Sequence, residues 1–302
     1  MCQACGHNHD QQMHINAMRR YDPTGTGLIR RRFESDISGR IKKLTADARA
    51  FILEDPEGLD FGVKTNAPKK KTQPRYAFRT SSEKVEAFRR WLRRQEKKGL
   101  LEVSTGVGQG GNQLWSDIYI QSAYQKGVQS SGSNMRGEGV EVSDRWITDA
   151  FARPIHADAV GLIYTRTYSD LEGISNAVAS RLSGVLAQSL VEGLGSDAIA
   201  RRIGKSLPSI ALPRARLIAR TETVRAYSES TLNAYDEAGA EGVEVLSEFI
   251  TARDNKVCPK CQDLEGKVYT VAQARGVLPV HPNCRCAWLP VIGRDARGVR
   301  LL

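Results

Sequence analysis

The sequence has no cysteine between Cys5 and Cys258. Its six cysteines stand in two tight groups, Cys2 and Cys5 at one end and Cys258, Cys261, Cys284 and Cys286 at the other. A disulfide framework would scatter its bridges through the fold, so this clustering argues against one and for metal ligation. No apolar run reaches the roughly 18 residues that a membrane-spanning helix needs, and none is predicted. The opening residues, MCQACGHNHD, lack the apolar core of a secretory signal, and the expectation is synthesis in a cytoplasm. Aromatic residues are only 7% of the chain, although hydrophobic residues reach 40%. The core is therefore expected to be helical and built from Leu, Ile, Val and Ala. Internal repeats, long heptad arrays and the paired acidic clusters of two-metal nucleases are also missing.

What is present is an uneven charge. The net charge of +10 lies entirely in the first third: residues 1–100 hold 22 Lys+Arg against 12 Asp+Glu, and residues 101–302 hold 22 of each. Such asymmetry points to an acidic partner, nucleic acid before others, or to a solvated basic face that keeps the chain soluble. The charge is densest on a helix predicted to start near Thr80, where Thr80 and Glu83 fit a capping box and Gly99 fits a C-cap. Arg89, Arg93 and Lys97 form one row at helical spacing, and Arg90, Arg94 and Lys98 form another. Six like charges on one helix repel unless an anion compensates them, so these six are the candidate nucleic-acid or acidic-partner surface.

The predicted fold is mainly α with a small β-containing C-terminal lobe, an α+β class in which a helical core carries a Cys/His-rich knot. Residues 1–20 read as a flexible segment in which Cys2, Cys5, His7 and His9 could hold a metal. Residues 21–127 form a basic helical region. Its first helix shows Ile29, Phe33, Ile37, Ile41, Leu44, Ala48 and Ile52 on one face, and its Pro- and Lys-bearing stretch 55–75 reads as a loop. Residues 104–112 are a glycine-rich connection, followed by a helix over 113–126. Residues 128–145 (VQSSGSNMRGEGVEVSDR) are polar and glycine-rich and predict an exposed loop. From Trp146 to residue 292 the chain reads as one compact domain, with a tail over 293–302. Within it, Ile174, Val178, Leu182, Val185, Leu186 and Leu190 mark a helix ended by Gly193 and Gly195. Pro208 and Pro213 bracket an expected break before a long helix over 214–238. VEVLSEFITA then switches to strand character.

The C-terminal cysteines have the pattern C-x2-C-x19-H-x2-C-x-C, which ends in HPNCRC. Two thiols three residues apart reach one ion from a tight turn, and a second short cluster completes a tetrahedron. Cys258, Cys261 and Cys284 are the first candidates, with His281 or Cys286 as the fourth. A zinc ion closed by four protein ligands is structural, because no position remains for water. A catalytic zinc of the deaminase type would need a histidine and glutamate ahead of the cysteines, and no histidine lies between His156 and Cys258. The third alternative is that thiols and imidazole pack and hydrogen-bond without metal.

The C-terminal half resembles the phage Mu F-like head morphogenesis, or minor capsid, proteins. The resemblance rests on Ala219-Arg220-Thr221-Glu222, on FITARDNKVCPKCQDLEGKVY from Phe249 to Tyr269, and on LPVHPNCRC with Pro290. It covers about residues 150–292, with Phe249 standing where the family has a tryptophan. It marks Arg220, Glu222 and Asp254 as structural motif residues. Glu222 meets Arg225 at i+3, and ion pairs between helices are the reading for this helix in preference to catalysis. The resemblance implies a virion component, made in the host bacterial cytoplasm, that associates with the portal vertex and capsid proteins. It implies a role in head assembly and in DNA packaging or ejection, with no enzyme activity and no small-molecule substrate. Two other readings stay open: a zinc-dependent DNA-binding protein acting outside the virion, and a nuclease or nucleotide-transferring enzyme using Glu222.

Overall fold

A computed structural model of the protein describes residues 22–61, 81–105 and 112–292. Cys2, Cys5, His7 and His9, the stretch 62–80 with Thr80, the glycines of 106–111 and the tail 293–302 lie outside the described residues. The element order is α1 (Gly27–Glu54), α2 (Ser81–Gly99), β1 (Val103–Thr105), β2 (Asn112–Leu114), α3 (Asp117–Gly137), α4 (Asp144–Thr148), a 3-10 turn (Asp149–Ala152), α5 (Pro154–Val191), α6 (Ser196–Ala240), β3 (Val245–Ile250), α7 (Pro259–Gln262), β4 (Val268–Tyr269), α8 (Val271–Ala274) and β5 (Ala287–Ile292). The class is α+β, as the sequence predicts: long helices with a small antiparallel sheet of order β4-β3-β5 near the C-terminus.

The chain divides into two compact units. One unit takes the described residues from Glu34 to Trp115 together with Thr167–Ile218. Its core is aliphatic with an aromatic group at one end. Ile37, Ile41, Leu44, Ala48 and Ile52 of α1, Phe88 and Leu92 of α2, the later stripe of α5, and Ile203, Leu207, Ala211 and Ala215 of α6 are all buried. Phe51 stacks on Trp91 at 4.5 Å between ring centroids. Glu96 of α2 is buried against Ser175 of α5, and its carboxyl is pushed up to about 7, first by burial and against the pull of Ser175 and Arg93.

The other unit takes the described residues up to Phe33, then Ser116–Arg166 and the described residues from Ala219 onward. Its core joins Met135 of α3, Leu232 and Tyr235 of α6, Val245 and Phe249 of β3, Trp288 of β5, and the thiols of Cys261, Cys284 and Cys286. Six residue pairs join β3 to β5, from Val245↔Ile292 to Ile250↔Ala287. Trp288 meets Phe249 edge-on at 5.5 Å and donates its indole N–H to Ser228 of α6 at 3.0 Å, which fastens the sheet to the helix.

Two expectations need correction. The loop expected over 128–145 is helical as far as Gly137, and α4 begins at Asp144. The glycine and serine that suggested a loop are close-packing residues. A Cβ at Gly132 would come within 2.7 Å of the Ile147 side chain, and one at Gly127, just before this stretch, within 1.7 Å of the Ser230 hydroxyl and 2.6 Å of the Tyr227 carbonyl. Ser131 turns its hydroxyl back onto the Gly127 carbonyl at 2.7 Å, so no polar group is stranded. The break expected between Pro208 and Pro213 is absent, because α6 runs through both. Each proline removes one helical hydrogen bond, but Leu207, Ala211 and Ala215 are fully buried on the same helix. Burying that apolar stripe outweighs the two lost bonds.

Candidate metal centre and basic helix

The first pair of thiols is set by a helix start. Cys258 is the N-cap of α7, and Pro259 follows it in the first turn, where a missing N–H costs nothing. The Cys261 N–H donates to the Cys258 carbonyl at 3.0 Å, so both thiols leave one tight turn. The second pair has the same construction. The Cys284 N–H donates to the His281 carbonyl at 3.1 Å. Asn283 in that turn has φ 66°, a left-handed conformation that asparagine tolerates better than most residues. One turn follows β3 and the other precedes β5, so the antiparallel register of these strands brings the turns together.

His281 faces the first pair. Its Nε2 lies 3.2 Å from Cys258 Sγ and 3.3 Å from Cys261 Sγ. Its Nδ1 lies 2.7 Å from the Pro282 carbonyl oxygen. A carbonyl only accepts, so Nδ1 carries a proton there, and Nε2 is the ring nitrogen turned to the sulfurs. Metal-bound histidines are oriented in this way. The ligand atoms of Cys258, Cys261 and His281 lie within 4.8 Å of one another, and so do those of Cys261, Cys284 and Cys286, with Cys261 in both groups. A tetrahedral zinc with thiolate and imidazole ligands has S···N edges of about 3.5 Å. The sulfur-rich donor set, the nearly matching edges to His281 and the aimed ring nitrogen could hold a metal ion, and zinc suits such donors.

The sulfurs differ in charge preference. Cys284 is held down to about 5, first by the hydrogen bond from the Cys286 thiol, against burial, and further by the N–H groups of Cys286 and Val280 and by nearby His281. Cys261 is pushed up to about 12, chiefly by burial and then by Cys284 and Cys258. Cys286 is pushed up as the donor to Cys284 and by burial.

Charged residues lock the surroundings. Arg285, between the last two cysteines, makes a two-pronged pair with Asp254, both contacts at 2.6 Å. That pair holds Asp254 down to about 2, helped by the Lys256 N–H. Arg220 donates to Asn283 of the second turn at 3.4 Å, and Glu222, buried, lies 3.3 Å from Arg225 and 3.5 Å from Arg166 of α5. Arg220, Glu222 and Asp254 are thus each within reach of a polar or charged neighbour. Cys2, Cys5, His7 and His9 lie outside the described residues.

On α2, Arg90, Arg93, Arg94, Lys97 and Lys98 are exposed and Arg89 is half-buried. Arg89 is 3.0 Å from Glu86, and Arg94 is 2.9 Å from Glu57. Among the described residues, Arg90, Lys97 and Lys98 make no ion pair.

Sequence reasoning missed two features. Arg285 and Arg166, the partners of Asp254 and Glu222, carry no spacing signal, because each pairs across a long sequence separation. A buried polar chain in the knot-bearing unit was also invisible. Arg275 donates to Asn233 at 2.9 Å, Asn233 to the Tyr124 hydroxyl at 2.8 Å, and Tyr124 pairs with His156 Nδ1 at 2.9 Å. His156 Nε2 lies 3.1 Å from Glu237, which also accepts from Arg153 at 2.6 Å.

The fold and site define a long-helix protein whose small antiparallel sheet is flanked by two ligand-bearing turns. Residues 180–289 match the model of the Phage Mu protein F like family. The match bears out the resemblance over the last third of α5, all of α6, and the Cys/His turns with β3, β4 and the start of β5. No curated protein and no solved structure matches the chain. Among the described residues, no helix is long and apolar enough to cross a membrane.

Proposed function

We propose that the protein is a phage minor head protein that takes part in capsid assembly at the portal vertex. The observation that carries this reading is the family match over residues 180–289, which contains every residue of the Cys/His cluster. In this reading the chain is made in the host bacterial cytoplasm and retained in the virion, with portal and capsid proteins as partners. Zinc braces the C-terminal lobe and has no turnover to support, since four protein ligands leave no site for water. Arg220, Glu222 and Asp254 spend their charge on neighbouring groups, which supports a non-enzymatic role. The exposed cations of α2 favour contact with packaged DNA during packaging or ejection, and they equally support a zinc-dependent DNA-binding protein acting outside the virion.

Mass spectrometry of gradient-purified particles, before and after DNA release, separates the two. A few copies per capsid are expected, and loss with the DNA would mark an ejected component. Absence from clean particles would overturn the virion reading and leave the DNA-binding one. The Cys258→Ser/Cys261→Ser double variant is expected to block particle assembly, and normal particles would remove the knot from the assembly role.

A further inference from the structure

Five soft donors fall into two close groups that share Cys261, Cys258 and His281 on one side of it and Cys284 and Cys286 on the other, and tetrahedral zinc takes four. From the geometry we infer that Cys258, Cys261, His281 and Cys284 are the ligands, and that Cys286 is a thiol of the second sphere that hydrogen-bonds onto the bound sulfurs. This rests on the reading of the knot as a zinc site and names its ligand set.

Backbone construction separates the four from the fifth. Cys258 with Cys261, and His281 with Cys284, are each three residues apart across a turn closed by an N–H···O bond, at 3.0 and 3.1 Å. Each turn therefore carries two donors, and two such turns supply four donors. Cys286 belongs to neither turn. It directly precedes Ala287, whose pairing with Ile250 starts the ladder of β3 with β5. Its backbone is anchored to the sheet, whereas Cys284 sits in a turn that can close on an ion.

The alternation of extended chain explains why Cys286 still faces the cluster. Residues two apart in an extended strand share a side. Cys284 and Cys286 both approach Cys261, while Arg285 between them points to Asp254. A thiol in this position can donate its S–H to Cys284 and Cys261 without entering the coordination sphere. Groups that hydrogen-bond metal ligands orient them, and their loss typically weakens affinity about 10–100-fold without abolishing the site.

The test uses the full chain, with zinc as the probe. Zinc stoichiometry is measured under chelator competition, and X-ray absorption at the zinc edge counts sulfur and nitrogen neighbours. Wild type is expected to hold one zinc with three sulfurs and one nitrogen. Cys286→Ser should keep one zinc and the same neighbours, with affinity reduced by no more than about 100-fold. Cys284→Ser should lose a sulfur neighbour and fall below that window. Four sulfurs in wild type, or loss of zinc or of a sulfur neighbour in Cys286→Ser, would overturn the assignment while leaving zinc binding intact. No zinc in wild type would instead overturn the zinc reading itself. If Cys284→Ser does not fold, the wild-type spectrum and Cys286→Ser still decide.

Discussion

Glu96 holds a carboxyl against the core of α2 and α5, and Oε1 has no hydrogen-bond partner there among the described residues. Its folded value of about 7 lies above the ordinary 4.5, so the folded state binds this proton more tightly than the unfolded chain. Stability from this group is therefore complete below pH 4.5 and declines as pH rises to 7, where about 3 kcal/mol has been lost. Glu96→Gln keeps the shape and removes the charge. Urea denaturation of this variant should show a flattened pH dependence over that window and greater stability than wild type above it. An unchanged pH profile would mean that Glu96 escapes to solvent. At this scale the sequence was informative about the cluster of Cys258, Cys261, His281, Cys284 and Cys286, because the spacing of such donors is local. It was silent about Glu96, whose place in an amphipathic helix looks like one more exposed charge among Arg93, Arg94 and Lys97.

Among the elements, α3 and α6 meet where side chains are smallest. Gly127 faces Ser230 and the Tyr227 carbonyl with no room for a methyl group, whereas Gly161 of α5 has nothing within 4 Å of an added Cβ. Gly127→Ala should cost about 3 kcal/mol or more, because backbone as well as a hydroxyl must move. Gly161→Ala should gain up to about 1 kcal/mol from helix propensity. Equal denaturation midpoints for the two variants would show that the helices separate without penalty. Close packing also explains why 128–137 read as a loop: Gly132 and Ser131 are turn residues by propensity, and only tertiary neighbours, such as Ile147 against Gly132, reveal them as spacers. The prolines of α6 misled for a related reason. Local rules count the lost hydrogen bonds at Pro208 and Pro213, while the compensating burial of Leu207, Ala211 and Ala215 is tertiary. The stripes of α1 and α5 were legible because a one-sided apolar pattern has a single helical solution.

For the whole molecule, charge asymmetry is the property most exposed to measurement. If α2 tracks duplex DNA, each phosphate neutralised contributes about 0.9 to the slope of log affinity against log salt. Reversing Arg90, Arg93, Lys97 and Lys98 to glutamate should flatten that slope by about three to four, read by fluorescence anisotropy across a salt series. An unchanged slope would assign the basic face to an acidic protein surface or to solvent. Charge balance was readable from composition alone, whereas the division into two units was not, because α1, α5 and α6 each contribute to both. In α6 that division has an evolutionary consequence. From Ile199 to Ala215 burial returns about once per turn, so a lineage can exchange the intervening residues freely. From Ile218 to Tyr235 nearly every position is enclosed, and drift there is restricted on all sides. One continuous helix thus carries two rates of sequence change, and divergent relatives should keep the second segment recognisable after the first has been rewritten.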